Sequence, residues 1–229
     1  MSSFTVPVAS LGVPRIGRRR ELKSALEAYW SGKSPADELL DTARRLRAEN
    51  WMEQRDRGIT IIPSNDFSLY DHVLDTAVMV GAVPQTYGGP SSEPSLDRYF
   101  AMARGGHTAE ACGCGHSSHD AHGLPALEMT KWFDTNYHYM VPELSPDQDF
   151  ALNSAKVVDE FREAAALGIR TRPVILGPVT FLKLAKSRGE PFDTLSLLPK
   201  LLPVYVELLH ALWQAGANWV QVDEPCLVL

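Results

Sequence analysis

The 229-residue chain is poor in cysteine, with three. It has no uninterrupted apolar run of the ~18 residues a membrane helix needs. No basic N-terminal stretch leads into a long apolar segment, so a cleaved secretory leader is not expected. Three thiols cannot close a disulfide framework, and a reducing cytoplasm is the expected compartment. Neither GxGxxG nor GxxxxGK[ST] occurs, which excludes a dinucleotide-binding turn and a P-loop. There is no overall cationic excess: the net charge is −6, which argues against general nucleic-acid binding. The chain is not short of hydrophobic residues, at 45% with 22% charged, so a disordered or collagen-like chain is excluded.

The charge is unevenly spread. Residues 1–57 carry 11 Lys/Arg against 8 Asp/Glu, and the remainder carries 11 against 20. A local basic excess in an acidic protein points to a small anionic ligand.

Strand and helix patterns alternate along the chain. Phe4 to Ser10 reads as a strand, and Leu22, Ala25, Leu26 and Tyr29 recur at helical spacing within a helix from about Arg19 to Trp30. Ser34 is the expected N-cap of a second helix with Pro35 in its first turn. The run from Ile59 to Pro63 suits a buried strand, and Ser64, Asn65 and Asp66 are expected to cap a helix that ends at Gly81. Between about 84 and 125 the periodicity dissolves into a long variable loop or insertion, interrupted by a short helix from Leu96 to Ala103. Further strands are expected around Tyr137–Val141, Pro173–Leu176 and Trp219–Val222. The intervening helices cover about Ser154–Leu167, Val179–Lys186 and Pro203–Ala215. This is βα alternation, with polar or turn residues at strand ends. Of the two α/β solutions, a doubly wound sheet and a barrel, functional groups at strand ends fit the barrel: a (β/α)8 TIM barrel truncated after about five strands, with residues 1–229 as one incomplete domain. The apolar run at Val228-Leu229 has no closing cap or helix, so the chain is expected to be cut short.

Four groups of residues can carry chemistry. Arg15, Arg18, Arg19, Arg20 and Lys23 crowd the start of the first helix, where backbone N–H groups also collect. They form either a seat for carboxylates or phosphates or a solvated basic face. From Glu128 to Tyr139, aromatic rings interleave with Lys131, Asp134, Asn136 and His138. That segment suits stacking on a flat ligand or an aromatic-rich strand. Cys112, Cys114, His116, His119 and His122 are metal-ligating types in an unfamiliar spacing, and read as a metal site or a flexible insertion. Asp223 and Glu224 at a strand end are an acid/base pair or a structural network. His72 and His210 read as helix-packing residues.

Five segments, in order, resemble the N-terminal part of cobalamin-independent methionine synthase. They are Leu11-Gly-Val-Pro-Arg-Ile-Gly17 with Arg20-Glu-Leu-Lys23, Asp66-Phe-Ser-Leu-Tyr-Asp-His72, Glu128-Met-Thr-Lys-Trp-Phe-Asp-Thr-Asn-Tyr-His-Tyr-Met-Val-Pro-Glu143, Leu176-Gly-Pro-Val-Thr180 and Trp219-Val-Gln-Val-Asp-Glu-Pro225. The resemblance implies an enzyme of two facing barrels that moves a methyl group from 5-methyltetrahydropteroyltri-L-glutamate to L-homocysteine, giving L-methionine. It implies a zinc ion that lowers the pKa of the homocysteine thiol, held by ligands of the second barrel that are absent from this chain. It maps folate binding onto Arg20, Glu21, Leu22, Lys23 and Lys131, with no catalytic and no metal-binding residue here. Arg20, Lys23 and Lys131 would face the carboxylates of the glutamate tail, Glu21 would orient the basic groups, and Leu22 would contribute backbone and packing. The chain alone is then expected to be inactive. Two other readings stand beside this one: a related barrel methyltransferase with another methyl donor, and a non-catalytic metal-binding module using Cys112, Cys114 and the nearby histidines.

Overall fold

The computed structural model describes residues 6–90, 94–106 and 123–228. Its elements are α1 (Glu21–Trp30), α2 (Ala36–Asp56), β1 (Ile62–Ser64), α3 (His72–Met79), α4 (Leu96–Arg104), β2 (Met129–Lys131), β3 (His138–Met140), β4 (Glu143–Leu144), α5 (Lys156–Ala166), β5 (Thr171–Leu176), α6 (Pro178–Leu184), β6 (Lys186–Ser187), α7 (Leu198–Gln214) and β7 (Gln221–Asp223). The fold is α/β, with helices and small sheets. The described residues fall into two compact units. One draws on Met1–Leu69, Ala155–Ile175 and Val206–Asp223, the other on Tyr70–Ser154, Leu176–Tyr205 and Glu224–Leu229.

The first unit is built on a three-stranded sheet in the order β1-β5-β7, with β1 and β5 parallel in the register Ile62↔Thr171. The expected first strand is represented by a parallel bridge between Ala9 and Ile61. Strands this short are held largely by what covers them. Trp51 of α2 packs with Ile62, Ala164 and Ile169 in one buried cluster, and its indole N–H donates to the Pro63 carbonyl at 3.0 Å. Burying Trp51 and Ile62 contributes on the order of 2–3 kcal/mol each.

A charged network closes the end of β1. Asn65, just past the strand, has a left-handed backbone with φ of 61°. Its side chain donates to the Val174 carbonyl at 2.7 Å and accepts from Lys156 Nζ at 2.8 Å. Lys156 also pairs with the buried Glu160 at 3.1 Å, and Glu160 accepts the Asn65 N–H. Arg47 reaches Glu163 at 2.7 Å and Glu160 at 3.8 Å. Buried carboxylates persist only when paired in this way. Ser64, Asn65 and Asp66 therefore do not cap a helix, as the sequence reading expected. Asn65 is tied to β5 and α5 instead, and α3 starts six residues later with Asp71 as its N-cap. A smaller shift occurs at α2, where Pro35 with ψ of 167° is the N-cap residue rather than the first helical one.

In the second unit β2 and β3 form an antiparallel hairpin in the register Lys131↔His138. The Tyr137–Val141 region thus pairs with its own chain neighbour, where βα alternation had implied a strand between helices. β4 and β6 pair in parallel, Glu143 with Lys186. The core includes Leu74, Phe100, Met102, Met140, Leu144, Phe181 and Leu182, all buried.

Helix α7 begins five residues before the expected Pro203, which lies inside it. The stretch Thr194–Gln214 reaches the length and mean hydropathy, 1.4, of a membrane-crossing helix. The sequence reading found no uninterrupted apolar run because Lys200 and Glu207 break it. Leu201, Leu208 and Leu212 on this helix are buried, while Leu202, Val206, Leu209 and Trp213 are exposed.

Candidate functional site

The basic segment is shaped by a turn whose backbone only some residues tolerate. Gly17 has φ of 82°, and a Cβ there would lie 2.2 Å from the Glu21 carboxylate. Arg20, the N-cap residue of α1, is left-handed at φ 64°, ψ 36° and gives no side-chain cap. For a residue with a Cβ that conformation costs about 1–2 kcal/mol. Leu22 N–H donates to Ile16 O at 3.1 Å and Ser24 N–H to Arg20 O at 3.1 Å, while the Glu21 carboxylate takes its own N–H. A helix start favours an anion through its dipole.

The four residues from Arg20 to Lys23 divide the work. Arg20 is exposed, with no ion-pair partner among the described residues. Glu21 turns back, and its carboxylate accepts the Arg19 N–H at 2.9 Å. Hydrogen bonds from its own backbone N–H and from that of Arg19 hold its carboxyl below the usual range. Leu22 is buried at 1% exposure and anchors the turn. Lys23 pairs with Glu27 at 3.3 Å, one helical turn on and half-exposed, an arrangement worth only a few tenths of a kcal/mol that an incoming carboxylate can displace. Arg18 is engaged elsewhere, with Glu53 at 2.7 Å.

Lys131 belongs to the other unit, at the end of β2. It is exposed, and the hairpin tip that follows it carries Trp132, Phe133 and Tyr137. Trp132 N–H donates to Tyr137 O at 2.7 Å and Thr135 N–H to Trp132 O at 3.1 Å, closing the tip. Phe133 is left-handed, with φ of 52°.

Asp71 was missed as a single residue by the sequence reading, although it lies inside one of the quoted motifs. It is 1% exposed. Its Oδ2 accepts from Leu74 N at 2.9 Å and from Met140 N at 3.1 Å. Its Oδ1 accepts from the Tyr137 hydroxyl at 2.9 Å. Burial pushes the Asp71 carboxyl up from its ordinary value, against the pull of His72 and these hydrogen bonds. The His72 ring lies 4.6 Å from Trp132, edge-on, and 5.7 Å from Tyr137, stacked. His72 is thus a packing residue, with its ring against the hairpin. His210 lies tilted against Trp213, 5.7 Å between ring centres, on the exposed side of α7, and is not a packing residue of the core. Asp before His-Val-Leu was the available signal for the α3 cap, overshadowed by the Ser-Asn-Asp triplet upstream.

The acidic pair at 223–224 separates in role. Glu224 accepts the N–H groups of Val179 and Thr180 at 3.0 and 2.7 Å, capping the start of α6. Asp223 accepts from Gln221 at 2.7 Å. A Cβ on Gly177 would lie 2.1 Å from the Glu224 carboxyl carbon, so this cap depends on glycine. The arrangement is the structural network of the two alternatives. Cys112, Cys114, His116, His119 and His122 lie outside the described residues. Among the described residues no group of three or more His, Cys, Asp or Glu is placed to hold a metal ion.

The described residues make an α/β fold that presents cationic side chains at a helix start in one unit and on a hairpin in the other. Comparison with known proteins gives the family. Residues 8–229 match the family described as cobalamin-independent synthase, N-terminal domain, and the chain belongs to it. It is 67% identical, over 97% of its length, to a protein of Mesorhizobium japonicum named 5-methyltetrahydropteroyltriglutamate–homocysteine methyltransferase. It is 66% identical, over 99% of its length, to a protein of the same name from Caulobacter vibrioides. It spans 29% and 30% of those two relatives. A crystal structure described as a vitamin-B12 independent methionine synthase, from Listeria monocytogenes, matches 97% of this chain and 54% of its own. The TM-score is 0.56 at 13% identity, a likeness of fold.

Proposed function

We propose that this chain is the methyl-folate-binding portion of a 5-methyltetrahydropteroyltriglutamate–homocysteine methyltransferase working in the cytoplasm. The relatives' shared name and the family match support the reaction, methyl transfer to homocysteine to give methionine. The parallel β1/β5 pair and the βα order support a (β/α)8 barrel of which this chain supplies the first part. Residues 84–125 are its variable insertion.

The observation that carries the binding reading is the start of α1. A glutamate tail is a string of carboxylates. Arg20, exposed and lacking an ion-pair partner among the described residues, is held out in a left-handed turn at the N-terminal end of α1. Lys23 follows one turn later with only an exposed, weak partner. Glu21 fixes the turn through Arg19 N–H, and Leu22 anchors it in the core. By the family resemblance Lys131, on its hairpin, is a second donor-binding cation. Charge pairing of this kind discriminates by tail length more than by the folate ring.

Zinc would supply a thiolate from homocysteine, and among the described residues no group of three or more His, Cys, Asp or Glu is placed to hold it. Its ligands and the homocysteine site belong to the rest of the enzyme. Partners of this chain are therefore the triglutamyl donor and, through the rest of the enzyme, homocysteine, with neither nucleic acid nor membrane. The test is a turnover assay with homocysteine, zinc and triglutamyl donor. The chain of 229 residues is expected to form no methionine alone, while the full-length protein does. Turnover by the chain alone overturns this division of labour.

A further inference from the structure

We infer that Asp71 is a positioning residue for Lys131: it docks the β2/β3 hairpin against the start of α3 and so holds the lysine where the donor's tail arrives. The inference rests on the tail-binding reading of Lys131 above.

An N-cap needs one acceptor oxygen, and Leu74 N–H satisfies that need. Asp71 does more. Met140 N–H, on β3, shares Oδ2, and the Tyr137 hydroxyl takes Oδ1. Both donors come from the hairpin, 69 and 66 residues along the chain. One buried carboxylate thus binds helix start, strand backbone and hairpin tip together. Its neighbour His72 adds ring contacts to Trp132 and Tyr137.

The tip needs such support. Phe133 holds a left-handed backbone that a phenylalanine does not adopt unaided. Trp132, next to Lys131, packs edge-on against Phe133 at 4.9 Å and Tyr139 at 5.9 Å. Lys131 sits in register with His138, so the position of its backbone follows from the pairing that Asp71 secures at Met140. Freed from Asp71, the tip relaxes toward ordinary backbone angles and Lys131 is no longer fixed. Holding a group in place ahead of binding lowers the ordering cost of the complex.

The experiment uses the full-length enzyme with donors bearing one or three glutamates. Tyr137→Phe removes one hydroxyl and leaves the cap and core intact. Asp71→Asn keeps the size and removes the charge. Each is expected to raise KM for the triglutamyl donor, by about threefold for Tyr137→Phe and about tenfold for Asp71→Asn, with kcat and the monoglutamyl KM within about twofold of wild type. Combined with Lys131→Ala, Asp71→Asn is expected to add little to the single lysine loss, because both act through one contact. Amide exchange at the hairpin tip is expected to quicken in both single variants. Additive losses, or equal losses for the two donors, overturn the inference. So does an Asp71→Asn enzyme of normal tail preference when Lys131→Ala weakens that preference, and this outcome leaves the tail-binding reading standing. If Lys131→Ala itself leaves the preference unchanged, the binding reading of Lys131 fails, and Asp71 is then only a cap and a hairpin brace.

Discussion

Arg20 is the residue at which conformation and chemistry conflict most plainly. Its backbone is left-handed, and its guanidinium sits at the N-terminal end of a helix dipole that repels cations. Both features cost stability and become reasonable if an anion is the normal occupant. Arg20→Gly relieves the backbone strain, offset in part by the flexibility glycine adds to the unfolded chain. The full-length protein carrying it is expected to be more stable than the Arg20→Ala form by up to about 1 kcal/mol in a urea melt, while its affinity for the triglutamyl donor falls. Arg20→Ala keeps the strain and loses the charge, so it gains only what the helix dipole returns, about 0.3–1 kcal/mol, and it also loses affinity. Equal melts for the Gly and Ala variants would remove strain from the explanation.

At the scale of elements, the network past β1 carries the sharpest stability prediction. Glu160 is buried and satisfies Lys156, the Asn65 N–H and Arg47. Glu160→Ala removes the buried carboxylate shared by Lys156 and the Asn65 N–H, leaving Arg47 with Glu163, and is expected to cost about 3–5 kcal/mol in chemical denaturation. Glu53→Ala, whose carboxylate pairs with exposed Arg18 and Arg57, is expected to cost less than about 1 kcal/mol. Similar losses at the two positions would mean that burial does not set the value of these pairs. These elements also show what the sequence discloses. Periodicity placed α1, α2, α4, α5 and α6 within a few residues, because each has an apolar stripe with a polar reverse. It misplaced the start of α3, because three cap-competent residues at 64–66 were used by the strand end, and only long-range partners such as Glu160 and Val174 decide that. It overlooked β2, β4 and β6, which are two or three residues long and leave no alternation to detect. The basic residues of the candidate site were legible as charge at a helix start. Asp71 was not, since its role depends on Tyr137 and Met140, far along the chain.

At the scale of the whole molecule, the chain is under a third of the length of the relatives it matches. Its described residues offer exposed cations, a braced hairpin and a capped α6. The cations suit the proposed role of holding the triglutamyl donor. The claim is tested most directly by calorimetric titration of the full-length enzyme with donors of one and three glutamates, in wild type and in the Arg20→Ala/Lys23→Ala double variant, at low and high salt. The account predicts that wild type prefers the triglutamyl donor by about tenfold or more at low salt, that salt erodes this preference, and that the double variant binds both donors alike to within about twofold. A double variant that keeps the wild-type preference and its salt dependence would contradict it.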